Sequence, residues 1–248
     1  MNFKDITKKI ENTPSLDFGS IINRSIELFK KVWVQGFITL LLTFVCILPL
    51  YIICYAPFII LGILNPEMLK QEEPNALVVL LGVLIFPLLF IGLMTVYLAL
   101  MAAFFRICKQ KDGNEQGTDD YFFYFKNGRI SKVVVLAALY LGLFILGMAA
   151  CFVGLFYLMV PLSLIPVFLA FNEDLSPIEI VKASFRLGNK NWLVIFGLLL
   201  VMGIVADLGV ILCFVGVFFT AMLAKIPVYY MYKDGVGFSE KEGLSISK

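Results

Sequence analysis

The chain has 248 residues, 60% of them hydrophobic and only 15% charged, with a formal net charge of +2 and a mean hydropathy of +0.93. A soluble domain carries about 25% charged residues, so this balance excludes an ordinary water-soluble domain, and so small a net charge gives no bulk attraction to nucleic acid. Histidine is absent, which removes imidazole-based acid–base catalysis, Ser-His triads and the usual zinc sites.

Residues 1–31 are polar and mixed in charge, with no apolar core and small-residue cleavage site that would mark a secretory signal. Residues 1–15 read as a cytoplasmic tail. Apolar stretches follow at 33–64, 76–107, 133–171 and 192–232. A helix of about 20 residues spans the hydrocarbon core. The last two stretches are each about twice that length and read as hairpins, turning near 150–154 and 206–209. The first two exceed one span and fall short of two. Each reads as one long helix, with Pro49, Pro57 and Pro87 as kink sites. The expected fold is all-α integral membrane, six transmembrane helices over 16–232, with 233–248 as a cytoplasmic tail.

Lysine and arginine placement fits that count. Residues 1–31 hold Lys4, Lys8, Lys9, Arg24, Lys30 and Lys31, and residues 106–132 hold another six basic side chains. Lys182, Arg186 and Lys190 follow, and the tail holds Lys233, Lys241 and Lys248. Six spans place all of these on one side and leave Lys70, in the acidic loop 67–73, on the other. By the positive-inside rule both termini are then cytoplasmic.

Residues 16–37, LDFGSIINRSIELFKKVWVQGF, align without gaps to 175–196, LSPIEIVKASFRLGNKNWLVIF. Ile21/Ile180, Ser25/Ser184, Leu28/Leu187, Lys31/Lys190 and Trp33/Trp192 are among the identical pairs. Ser176-Pro177-Ile178-Glu179 forms a capping box with proline at the first helical position, and Asp17 or Ser15 caps the first copy. A weaker third copy is read at 118–132, opening on Asp119 and Asp120. All three are expected to be amphipathic helices in the cytoplasmic interface. The first two are expected to superpose together with the spans that follow them.

The phrase LSPIEIVKASFRLGNKNW, with an apolar hairpin ending in IPVYYMYKDG, resembles a broad group of bacterial inner-membrane proteins. That group includes the membrane domain fused to some glycerophosphodiester phosphodiesterases. The resemblance implies a six-helix membrane domain with interface helices in the bacterial cytoplasmic membrane. It does not imply the phosphodiesterase reaction, which in fused members belongs to a separate soluble barrel that uses histidines.

No residue pattern supports catalysis or a cofactor. The five cysteines show no CxxC spacing, and Cys46, Cys54, Cys151 and Cys213 lie in apolar runs, where cysteine acts as a small hydrophobe. A Cys151–Cys213 disulfide is not expected. Asp119/Asp120 and Glu173/Asp174 read as helix-start carboxylates. Lys225 is the main ionisable group inside an apolar stretch and is expected to extend its ammonium to the headgroups near Tyr229. Ala99/Ala103 and Ala138/Gly142 have the small-residue spacing of close helix packing. The expected function is a non-enzymatic scaffold or accessory subunit whose partners are membrane lipids and other membrane subunits. Arg24, Lys31, Arg186, Lys190 and Lys225 would make its headgroup or partner contacts. The alternative is a transporter of a lipid or small hydrophobe, which would line a cavity with Thr39, Thr43, Thr95, Ser163 and Lys225.

Overall fold

The computed structural model describes residues 1–64, 75–115, 117–150, 153–207, 209 and 215–238. Lys70, the loop 67–73, Cys151, Cys213, Lys241 and Lys248 lie outside them. The described residues are helical and contain no strand. They form α1 (Phe3–Asn12), α2 (Phe18–Leu64), α3 (Ala76–Asp112), α4 (Ile130–Ala149) and α5 (Val153–Phe171). After these come α6 (Pro177–Lys190), α7 (Trp192–Asp207), α8 (Val215–Thr220) and α9 (Ile226–Gly235). Short 3-10 turns occupy Phe123–Phe125 and Ala221–Ala224. Four helices, α2 to α5, are long and apolar enough to cross a bilayer, and α6 with α7 makes a fifth if that bent pair is one span.

The two long apolar stretches are single helices, as their lengths suggested, and Pro49, Pro57 and Pro87 lie inside them. α2 and α3 form an antiparallel hairpin. Leu50 approaches Gly92, and Gly36 lies against Phe104 and Met222. The outer halves of both helices are apolar and exposed, from Leu41 to Ile63 on α2 and from Leu77 to Leu88 on α3. From Thr95 inward α3 is almost wholly buried. α8 packs on α2 through Phe44–Phe218 and Phe37–Phe219 ring contacts, and the following 3-10 turn through Met222 against Gly36. α9 then enters the core, with Tyr229 and Tyr232 among the largest fully buried side chains.

α6 begins where the sequence placed it. The Ser176 hydroxyl accepts the Glu179 amide, and Glu179 reaches back to the Ser176 amide. Asp17 caps α2 by accepting the Ser20 amide at 2.8 Å. The two copies then diverge, which corrects the expectation that they superpose with their spans. In the first copy Val32 stands in mid-helix and α2 runs on through Trp33. In the second copy Asn191 ends α6, its side chain accepts the Leu16 amide at 3.3 Å, and α7 leaves at 91°. The physical cause is an amide side chain that holds another segment's backbone where the first copy has an apolar residue.

α6 folds back along α5. Both start from the short turn 172–176, and at the far end a Cβ on Gly188 would lie 3.2 Å from the Pro161 Cα. The Tyr157 hydroxyl donates to Asn189 Oδ1 at 2.7 Å, and the Trp192 indole donates to the Tyr157 carbonyl at 3.1 Å. Helices that meet at both ends in this way are antiparallel neighbours. α1 lies along α6 in turn, with the Met1 amine 3.3 Å from Asp174 and Ile6 and Ile10 buried. Burying side chains of that kind is worth about 1.5–3 kcal/mol each.

The third repeat copy is not a helix. Residues 117–120 are irregular, a 3-10 turn follows, and α4 starts only at Ile130. Asn127 and Gly128 adopt left-handed backbone, with φ of 56° and 71°, which stops helix growth before Arg129.

Candidate functional site: the polar end

The apolar runs 33–64, 76–105, 133–171 and 192–206 contain no Asp, Glu, Lys or Arg. Charge gathers instead at the ends of α2, α3, α5 and α9 and along α1 and α6. Two joints organise it.

The first joint is built on Asp112, the last residue of α3. A carboxylate there opposes the helix dipole, and α9 supplies what offsets it. The hydroxyls of Tyr229 and Tyr230 each donate to Asp112 at 2.9 Å, and the Lys233 ammonium donates at 2.5 Å. The next residue, Asp234, accepts both terminal guanidinium nitrogens of Arg24 from α2. That guanidinium also lies 4.6 Å from the Tyr230 ring centroid. Two neighbouring turns of α9 therefore tie α2 and α3 together, through a two-pronged Arg24–Asp234 pair and a three-donor cluster on Asp112.

The second joint closes α3, α4 and α5. Arg106 donates to Glu173 at 2.9 Å, and Arg129 lies 3.7 Å from the same carboxylate. Both guanidiniums stack over Phe123, 3.8 and 4.2 Å from its centroid. Lys132 donates to the Asn172 and Glu173 carbonyls at the end of α5. Tyr124 is buried and donates to the Leu169 carbonyl at 3.1 Å; burial raises its pKa. Glu173 and Asp174 are thus ion-pair partners, and Ser176 with Glu179 provides the cap they were expected to supply. Asp119 likewise starts no helix. It accepts the Gln35 amide at 3.1 Å and lies 3.5 Å from Lys111. Burial, and then the Asp119 charge, pushes the Tyr121 phenol up to about 12.

The five basic residues singled out from sequence fall into three groups. Arg24 is committed to Asp234. Arg186 pairs with Glu11 at 3.4 Å and lies 5.5 Å from the Phe3 ring centroid. Lys190 donates to the carbonyls of Ile10, Glu11 and Thr13 at the end of α1. Lys31 is exposed. Lys225 is half-buried at the turn into α9. The Lys31 charge acts on the Glu27 carboxylate one turn earlier, beside the Lys30–Glu27 pair, and Lys225 makes no side-chain hydrogen bond or ion pair among the described residues. The structure brings Arg186 and Lys190 together on α1 and sets the other three apart.

Asp112, Asp234 and the Arg106–Glu173–Arg129 group were not found by sequence reasoning. The available signal was the run Tyr229-Tyr230 followed at helical spacing by Lys233-Asp234, which puts donors and an acceptor on neighbouring turns of one helix. No family model, curated protein or solved structure matches this chain.

Proposed function

We propose that the chain is a non-catalytic integral component of the bacterial cytoplasmic membrane, a scaffold or accessory subunit. Its basic end faces the cytoplasm and touches anionic lipid headgroups. Membership of the inner-membrane group that its sequence resembles belongs to the same proposal. The observation that carries it is where the span hydroxyls go. Thr39, Thr43 and Thr95 each donate at 2.7 Å to the carbonyl four residues earlier in their own helix, and Ser163 donates to the Val160 carbonyl at the same distance. A transport path would present such groups to a substrate; hydroxyls bonded to their own backbone favour a filled bundle.

Both termini are cytoplasmic on this reading, because an even number of crossings keeps the basic segments on one side. Six crossings, or four crossings with one hairpin that enters and returns, give the same sidedness. Lys31 and Lys225 are the headgroup contacts, since the other three cations are engaged within the chain. Lys31 adjoins Trp33, 44% exposed, the pairing of cation and indole typical of the headgroup level. A Lys31→Met/Lys225→Met variant should fold normally and retain several-fold less anionic lipid after gentle detergent extraction, read by mass spectrometry of copurified lipid. Unchanged retention would remove the headgroup role.

A further inference from the structure

We propose that the groove between α1 and the end of α9 binds a phosphate ester, with the phosphate on Lys8 and Lys9 and a hydroxyl of the ester on Asp5. The groove opens to solvent and has a volume of about 620 Å³, within the ordinary range of small-ligand sites, about 300–1,000 Å³.

One wall is a single stripe of α1. Asp5, Lys8, Lys9 and Asn12 all line the groove, and they follow the three- and four-residue spacing that puts side chains on one helix face. Ile6 and Ile10 are buried on a different face of the same helix, which fixes the direction of the stripe. The end of α1 is fastened as well. Lys190 donates to the carbonyls of Ile10, Glu11 and Thr13, and the Thr13 hydroxyl lies 3.2 Å from the Gly235 carbonyl of α9. The groove is therefore a set feature of the fold and not a chance gap between loose segments.

The facing wall is the end of α9, and its charges are already matched. Lys233 is held by Asp112 and Asp234 by Arg24. The α1 stripe has no such partners: the side chains of Asp5, Lys8, Lys9 and Asn12 make no hydrogen bond or ion pair among the described residues. Two free ammonium groups against one free carboxylate leave the groove positive. Other cations at this end, among them Arg106, Lys126, Arg129 and Arg186, each pair with a carboxylate.

That pattern of charges selects the ligand. Two neighbouring ammonium groups, each a compact point charge with three donors, suit the oxygens of one phosphate. Asp5 would repel a bare anion, but it accepts from a hydroxyl carried on an ester, and the Asn12 amide can donate or accept beside it. Pro14 and Val236 add apolar lining for the carbon frame. The ester is either a soluble metabolite or the headgroup of an anionic lipid. Neither Lys31 nor Lys225 lines this groove, so the proposal does not rest on the headgroup contacts given under Proposed function.

The test uses the purified full-length chain in a neutral detergent, with the unfolding midpoint followed against ligand concentration. Ribose 5-phosphate is the soluble probe and dihexanoyl phosphatidylglycerol the lipid probe, with ribose and dihexanoyl phosphatidylcholine as their controls. At least one probe should raise the midpoint saturably, and its control should not. A response to ribose 5-phosphate alone assigns a soluble ester, and a response to the lipid alone assigns a headgroup. Lys8→Gln/Lys9→Gln should bind about 2- to 30-fold more weakly, the range for two exposed charge pairs. Lys4→Gln/Lys182→Gln removes the same charge outside the groove and should keep the parent affinity. Both variants replace exposed side chains, so their ligand-free midpoints should match the parent. No saturable response to either probe overturns the proposal, as does equal weakening in the two variants. A response to inorganic phosphate as strong as to the ester overturns the role of Asp5. A lower ligand-free midpoint in Lys8→Gln/Lys9→Gln means that these lysines serve to seat α1, and overturns the site itself.

Discussion

Asp112 carries its charge at the helix end where the peptide dipole disfavours it, and α9 answers with an ammonium and two phenols. Asp112→Ala leaves all three donors without their acceptor in a partly buried setting. It should lower stability by about 1.5–3 kcal/mol, the range for hydrogen bonds to a charged group. Asp112→Asn keeps an oxygen for a phenol and should lose less. The measurement is the unfolding midpoint of purified protein in a mild detergent. Little of this joint was legible in the sequence. The partners are separated by more than a hundred residues, and no local pattern brings an acid on one helix to a base on another. Lys31 and Trp33 are the opposite case, since their exposure follows from position beside an apolar run.

At the scale of elements, helix existence followed from apolar run length, and starts followed from Asp17 and the Ser176–Glu179 box. Helix direction did not. Repeat identity at Lys31/Lys190 and Trp33/Trp192 suggested common geometry, yet Val32 stands within a continuous helix and Asn191 at a right-angled break. The third copy failed for a related reason: five aromatics in a row gave it an interfacial look, while the left-handed backbone at Asn127 and Gly128 prevents a helix. α5–α6 packing depends on a missing side chain, because a Cβ at Gly188 meets Pro161 backbone. Gly188→Leu should therefore force the helices apart, lowering stability by about 1–3 kcal/mol or more and shifting Trp192 fluorescence as its bond to Tyr157 is lost. Gly142 has nothing within 4 Å of its Cβ position. Gly142→Leu should stay within about 0.5 kcal/mol of the parent.

Across the whole molecule, lipid-facing and protein-buried surface are segregated along the helices. The outer halves of α2 and α3 face outward as apolar rods, while the inner ends of α3 and α5 disappear into a core wrapped by α1, α6 and α9. Composition foretold a membrane protein, and charge placement foretold a polar end. The division within single helices was hidden, because Leu, Ile and Phe serve equally against lipid and against protein. α5 has the same apolar composition as a lipid-facing span, and only its neighbours distinguish it.

The last helix being the keystone also sets an order of events during synthesis. Arg24 and Asp112 enter the membrane region long before their partners on α9 exist. Lys233 comes 121 residues after Asp112, which at about 5–20 residues per second leaves the acid without its base for roughly 6–24 s. For that interval α2 and α3 are joined by their hairpin packing alone, and the polar ends of both must be held by water or by an assembly factor. A chain stopped at Lys225 should remain in that open state. Such a chain keeps the Tyr124 and Arg129 contacts with Leu169 and Glu173 but lacks the α9 partners of Arg24 and Asp112, so its unfolding midpoint in a mild detergent should fall below that of the full-length chain. Maturation is thus gated by the emergence of ten residues, and the time a nascent chain spends vulnerable is set by translation rather than by folding.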